Sequence, residues 1–226
     1  MYHLVGPNGP TDPPITRALT VSARAFAAQM EWLHHVGFHA VSMLQLYDAL
    51  ERGAKLPPRP VAITFDDGYR DVLWYAAPLL HRLHMPATAF VITGRIDGPD
   101  PSFLTWPELS RLEALGIAIG SHTVHHLELT RLSAAEARYE LDASRHALQK
   151  HLHQPVRWFA YPAGRFDRST EQLVRSAGYR LALTTEPGAL QSRAEPYALH
   201  RDEIRNTTSL AGLKALLGSS IRSHPF

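Results

Sequence analysis

The chain has 226 residues, 45% hydrophobic and 19% charged, the balance of a globular protein able to bury a sizeable core, which excludes disorder throughout. Lys and Arg number 23 against 21 Asp and Glu, a net charge of +2 with no basic block, so nucleic acid is not an expected partner. Cysteine is absent, which removes disulfides, thiolate catalysis and thiolate metal ligation, and no stretch approaches the ~18 consecutive apolar residues of a membrane span.

Short apolar runs alternate with helical patterns from end to end. Strands are predicted at residues 2–5, 38–41, 61–65, 87–92, 117–119, 156–160, 179–184 and 197–200, most of them rich in Val, Ile, Phe or Tyr. The first already reads as a strand under way. No basic-then-apolar leader precedes it, so the chain as written is expected to be cytoplasmic, or extracytoplasmic if upstream residues are missing. Ser22 can cap a helix with Phe26, Met30 and Leu33 on its apolar face and Gly37 at its end. Thr105-Trp106-Pro107-Glu108 reads as a capping box opening a helix that buries Leu109, Leu112 and Leu115 and stops at Gly116. Ser133-Ala134-Ala135-Glu136 repeats the device at the start of the longest helix, to about His151, and residues 169–178 form a shorter one. Residues 55–60, 94–101 and 185–196 read as loops. This alternation argues for parallel strands joined by crossover helices, and seven or eight such units favour a barrel over an open sheet, as a single domain spanning residues 1–226. No GxGxxG or GxxxxGK[ST] element follows a strand, which removes the usual nucleotide-binding readings.

Polar motifs fall where such a barrel builds its sites, at C-terminal strand ends. Asp66 and Asp67 of Thr64-Phe65-Asp66-Asp67-Gly68 follow the third strand. His122 and His126 of Ser121-His122-Thr123-Val124-His125-His126 follow the fifth, and Tyr161-Pro162-Ala163-Gly164 follows the sixth. Two imidazoles four residues apart would share one face of a helical turn, and with a carboxylate they make up a divalent-metal set. His125 is read as the histidine that points elsewhere. The second carboxylate is then free to act as a base, which points to metal-assisted hydrolysis. The residues alone do not say which Asp does which job.

Thr-Phe-Asp-Asp-Gly followed by Ser-His-Thr-x-x-His resembles the polysaccharide deacetylases of carbohydrate esterase family 4, the NodB-homology domains. The resemblance extends to Met1-Tyr2-His3, to Phe159-Ala160-Tyr161-Pro162-Ala163-Gly164-Arg165-Phe166-Asp167, to Ala177-Gly178-Tyr179 and to Thr184-Thr185-Glu186-Pro187-Gly188, and so covers almost the whole chain. It implies an α/β fold, a distorted (β/α)7-type barrel, and removal of acetyl groups from N-acetylated sugar units of a polysaccharide or oligosaccharide. By the family pattern Asp66 is the general base, while Asp67, His122 and His126 hold one divalent metal. Zinc is the default, with cobalt, nickel, manganese and iron also compatible with the donor set. A backbone N–H at Ala163, beside Gly164, would face the oxyanion, with Tyr161 and Tyr69 as walls of the sugar site.

The chain also departs from that pattern. The family's Arg before the Pro-Tyr-Gly turn would fall at Ala160, and Arg201, at a strand end, is the preferred substitute over Arg157 for tuning the base. Leu199-His200-Arg201-Asp202 partly matches the motif of the general acid, with His200 as the proton donor to the leaving amine. These departures lean toward the branch that includes poly-N-acetylglucosamine deacetylases. A metallo-amidase for a small non-glycan amide and a catalytically silent glycan-binding domain are the competing readings.

Overall fold

A computed structural model of the chain describes residues 1–9 and 11–223. Five parallel strands stand side by side in sequence order: β5 (Thr64–Phe65), β6 (Ala87–Val91), β7 (Ile117–Ser121), β8 (Trp158–Ala160) and β9 (Leu181–Leu183); two short parallel pairs precede them in the chain. Those pairs are β1 (Leu4–Val5) with β2 (Thr20–Val21), and β3 (His39–Ala40) with β4 (Pro60–Val61). Single parallel bridges extend the central sheet at both edges, Tyr2 to Phe65 and Leu183 to Leu199. The Ile204 N–H donates to the Met1 carbonyl at 2.9 Å, so the segment after Leu199 comes back to the first strand. The result is the expected distorted barrel, closed by isolated contacts rather than by a continuous ladder.

Strand alternation explains why both faces are dry. Along β6, Ala87, Ala89 and Val91 join the larger core, whereas Phe90 joins the smaller one. Along β8, Phe159 faces the first and Trp158 and Ala160 the second. The larger core takes the apolar stripes of α2 (Ala23–His35), α5 (Trp106–Ala114), α6 (Ala134–Leu152) and α7 (Arg168–Ser176), through Phe26, Met30, Leu33, Leu109, Leu112, Leu141, Leu148 and Val174. The smaller core is covered by α3 (Met43–Arg52), whose Met43, Leu46 and Leu50 pack on Phe90, Leu181, Leu183 and Leu199. Gly120 makes room for that core, since a Cβ there would lie 2.5 Å from the Phe90 ring.

Predicted helix ends hold where caps were read. Ser22 accepts from the Ala25 N–H, and Thr105–Glu108 and Ser133–Glu136 form capping boxes. The short helix starts one residue earlier than expected, because Asp167 supplies its cap. Four helices lie outside the sequence expectation: α1 (Pro14–Leu19), α3, α4 (Ala77–Arg82) with the π-helical turn Val72–Ala76 before it, and α8 (Leu210–Ser223). The expected strand at residues 61–65 is two pieces, β4 and β5, with separate partners. No helix among the described residues is long and apolar enough to cross a membrane.

Candidate active site

Parallel strands bring Asp66, Asp67, His122 and Arg201 to one end of the barrel. After β5 the chain is still held as strand, the Asp66 N–H donating to the Tyr2 carbonyl at 3.0 Å. It then turns sharply through Asp67 (φ 72°) and Gly68 (φ 84°). Gly68 is required twice, for its left-handed backbone and because a Cβ would stand 3.0 Å from Val91 Cβ. Asp66 is 2% exposed and receives both arms of one guanidinium: Arg201 Nη1 to Oδ1 and Nη2 to Oδ2, each at 2.7 Å. Arg201 also donates through Nη1 to Thr64 Oγ1 at 3.3 Å and through Nε to the Thr184 carbonyl at 2.8 Å. Burial alone would push the Asp66 carboxyl up, but the charge of Arg201, with that of His122 and the hydrogen bonds, holds it well below the usual carboxylate range. The structure therefore joins the base of the sequence reading to Arg201.

Asp67 Oδ1 lies 3.5 Å from His122 Nε2 and 3.6 Å from His126 Nε2, and one ligand atom from each of the three residues fits within a 4.8 Å span. Donors bound at ~2.1 Å around a tetrahedral ion stand about 3.4 Å apart, so the set fits a divalent metal of zinc's size. His122 is fully buried and its Nδ1–H donates to the Ala160 carbonyl at 2.8 Å, which turns the Nε2 lone pair toward Asp67. Burial lowers the affinity of His122 for a proton, but Asp67 and Asp66 outweigh it and raise its pKa. His126 is half-buried; burial and the neighbouring His122 lower its pKa. The two histidines converge by a route other than the helical turn expected from their spacing. Residues 122–126 form an irregular loop with left-handed backbone at Thr123 (φ 69°) and His126 (φ 60°).

That loop is pinned on every side. The Thr93 and Gly94 N–H groups donate to the Thr123 and Val124 carbonyls at 3.1 and 2.9 Å, and the His126 N–H donates to Thr123 Oγ1 at 2.9 Å. His125 points away from the metal set, as expected, with Nδ1 2.6 Å from Glu140 Oε1.

The remaining expected residues divide. Ala163 has left-handed backbone (φ 52°) inside the turn Pro162–Gly164, and its N–H has no acceptor among the described residues, which leaves it open to a ligand. Gly164 is buried against Thr185, where a Cβ would come within 2.0 Å of Thr185 Oγ1. Tyr69 sits partly buried beside the site, stacked on Phe103 at 4.8 Å, its hydroxyl pushed up to about 12 by burial and the nearby Asp67. Tyr161 is not a site wall: it is 0% exposed, packed against Phe159 and Phe166, and its hydroxyl has no partner. Nor does His200 join the cluster. Adjacent residues of an extended segment point to opposite sides, so Arg201 reaches Asp66 while the His200 ring turns to Glu186, 3.6 Å away.

Sequence reasoning assigned no role to His3, yet its imidazole is close enough for its charge to bear on Asp66, Asp67 and His126. Its Nδ1 is buried without a hydrogen bond, 3.8 Å from Glu203. The available signal was positional, a polar residue directly after the strand bridge at Tyr2.

Residues 53–182 match the family model described as polysaccharide deacetylase, a span that contains Asp66, Asp67, His122 and His126. The chain is 33% identical over 212 residues to YxkH of Bacillus subtilis (strain 168), covering 94% of this chain and 72% of that protein. It is 26% identical over 196 residues to the poly-beta-1,6-N-acetyl-D-glucosamine N-deacetylase of Staphylococcus aureus (strain MSSA476), covering 80% and 67%. Among solved structures, the Streptococcus pyogenes deacetylase PplD, in complex with acetate, superposes with a TM-score of 0.87 at 28% identity over 95% of both chains. IcaB from Ammonifex degensii gives 0.84 at 25% identity over 95% and 94%. With the family model covering more than half of it, the chain belongs to the polysaccharide deacetylase family.

Proposed function

We propose that the protein is a metal-dependent hydrolase that removes N-acetyl groups from N-acetylglucosamine-type units of a glycan, releasing acetate. The observation that carries the reading is the juxtaposition of a three-donor set, Asp67, His122 and His126, with a separate carboxylate, Asp66, locked by Arg201. The S. aureus relative supports the substrate class. Zinc is the first choice for two imidazole nitrogens and one carboxylate oxygen. When bound, such an ion lowers the pKa of a water toward ~7 and polarises an acyl oxygen.

The side chains then divide the remaining work. Asp66 stays ionised, and each oxygen keeps a lone pair beyond its bond to Arg201, so it can accept the proton of an attacking water. The free N–H of Ala163 is the donor offered to the developing oxyanion. The proton donation to the departing amine goes to His3 rather than His200, because His3 follows Tyr2, whose carbonyl accepts the Asp66 N–H at 3.0 Å, and the backbone therefore sets it next to the base. Incubation with N-acetylglucosamine oligomers and with small acyl amides tests the substrate class. Equal amounts of acetate and free amine from the oligomers are expected. Turnover of the small amides alone would overturn the glycan reading.

A further inference from the structure

Helix α6 carries a polar exception on its buried face. Ala137, Leu141 and Leu148 pack into the core as an amphipathic stripe requires, but Glu140, only 3% exposed, stands among them. A buried carboxylate is tolerated where its oxygens are fully used, and among the described residues the hydrogen bonds that the Glu140 carboxylate accepts come from the loop between the two histidine ligands. Oε2 accepts the N–H groups of Val124 and His125, both at 2.9 Å, and Oε1 lies 2.6 Å from His125 Nδ1. The loop it grips is held in backbone that side chains rarely adopt, left-handed at Thr123 on one side of the grip and at His126 on the other. His122 needs no such help, being fixed by its own bond to the Ala160 carbonyl. His126 is the least buried of the three ligands, and its ring has no comparable hydrogen-bonded anchor among the described residues.

We propose that Glu140 is a positioning residue for the metal centre: by binding the two amides between the ligands it holds His126 at the separation from Asp67 and His122 that one ion requires. His125, which takes no place in the metal set, completes the clamp by fixing the carboxylate through Nδ1–H. The inference rests on the reading of Asp67, His122 and His126 as the metal ligands.

The experiment is a zinc titration of chelator-stripped full-length protein against a competing chromophoric chelator, with circular dichroism on each variant. Glu140→Ala is expected to weaken zinc binding about 10–100-fold, the usual effect of removing an outer partner of a metal ligand, with the helical spectrum retained. Glu140→Gln keeps an oxygen for both amides and is expected to stay within about 3-fold of wild type. Glu140→Asp, one methylene short, should resemble Ala and stands in for it if the Ala variant fails to fold. Folded Ala or Asp variants that bind zinc as tightly as wild type would overturn the proposal. Failure of the ligand reading looks different: wild type itself would bind zinc no better than a His122→Ala control.

Discussion

At the residue scale the Asp66–Arg201 pair couples stability to chemistry. Removing one partner of a buried ion pair costs about 3–5 kcal/mol, because the other charge is left without compensation. Arg201→Met should therefore lower the melting temperature and activity together. Asp66→Asn should cost ~10²–10⁴ in kcat while metal content, measured by elemental analysis, stays at the wild-type level. The pH dependence has a definite sign. Burial raises the Asp66 pKa, but Arg201 more than reverses this and depresses it in the folded state. The pair's contribution is thus complete above the unfolded value of ~3.9 and is lost as pH falls through the lower folded value. Acid unfolding of Arg201→Met should lack that component. His3 and His200 separate by kinetics: His3→Ala is expected to lower kcat at least ~10-fold, and His200→Ala to leave it within about 2-fold. The reverse order would return the acid to His200. The aspartates and both histidine ligands were legible because each pair lies within a few residues, and Arg201 because it follows a strand end. His3 and Glu140 were not, since their partners come from distant segments. Tyr161 misled because its place at a strand end does not show which way the ring points, and it turns inward onto Phe159 and Phe166.

Elements that join a cap to a clear apolar period were readable; a cap without such a period was not enough. Helix α3 has a capping box at Ser42–Gln45 and Gly53 in left-handed backbone at its end, but Leu44, 49% exposed, blurs its apolar stripe. Strand β2, of two residues, is too short for any period to show. Two predictions belong here. Gly120→Ala drives a methyl into Phe90 and should destabilise the fold by about 1–3 kcal/mol, measured by chemical denaturation. Asp71, which accepts the Val5 N–H at 2.8 Å and ties β1 to the π-helical turn, is pushed up to about 7 by burial, against the opposing hydrogen bonds. An acid whose folded pKa is raised binds more protons folded than unfolded between about pH 4 and 7. Stability should accordingly fall as pH rises across that window, by on the order of 2–4 kcal/mol. In Asp71→Asn that slope should flatten in denaturation curves taken from pH 4 to 8; an unchanged slope would assign the dependence to other groups.

For the whole molecule, the curled parallel sheet is what makes the chemistry possible. It takes residues far apart in sequence, from Asp66 to Arg201, and sets them at one end of a wall whose two faces are filled by side chains. Strand–helix alternation was enough to anticipate the barrel; its closure by single bridges at Tyr2 and Leu199 was not, since no pattern marks a one-residue pairing. The central claim is that this end of the barrel hydrolyses N-acetyl groups with one divalent ion held by Asp67, His122 and His126. The most direct test measures acetate released from N-acetylglucosamine oligomers by chelator-stripped protein as zinc is added back. Release is expected to be absent from the stripped protein and to rise with zinc to a plateau at one equivalent. Full release by protein verified to be metal-free would contradict the claim.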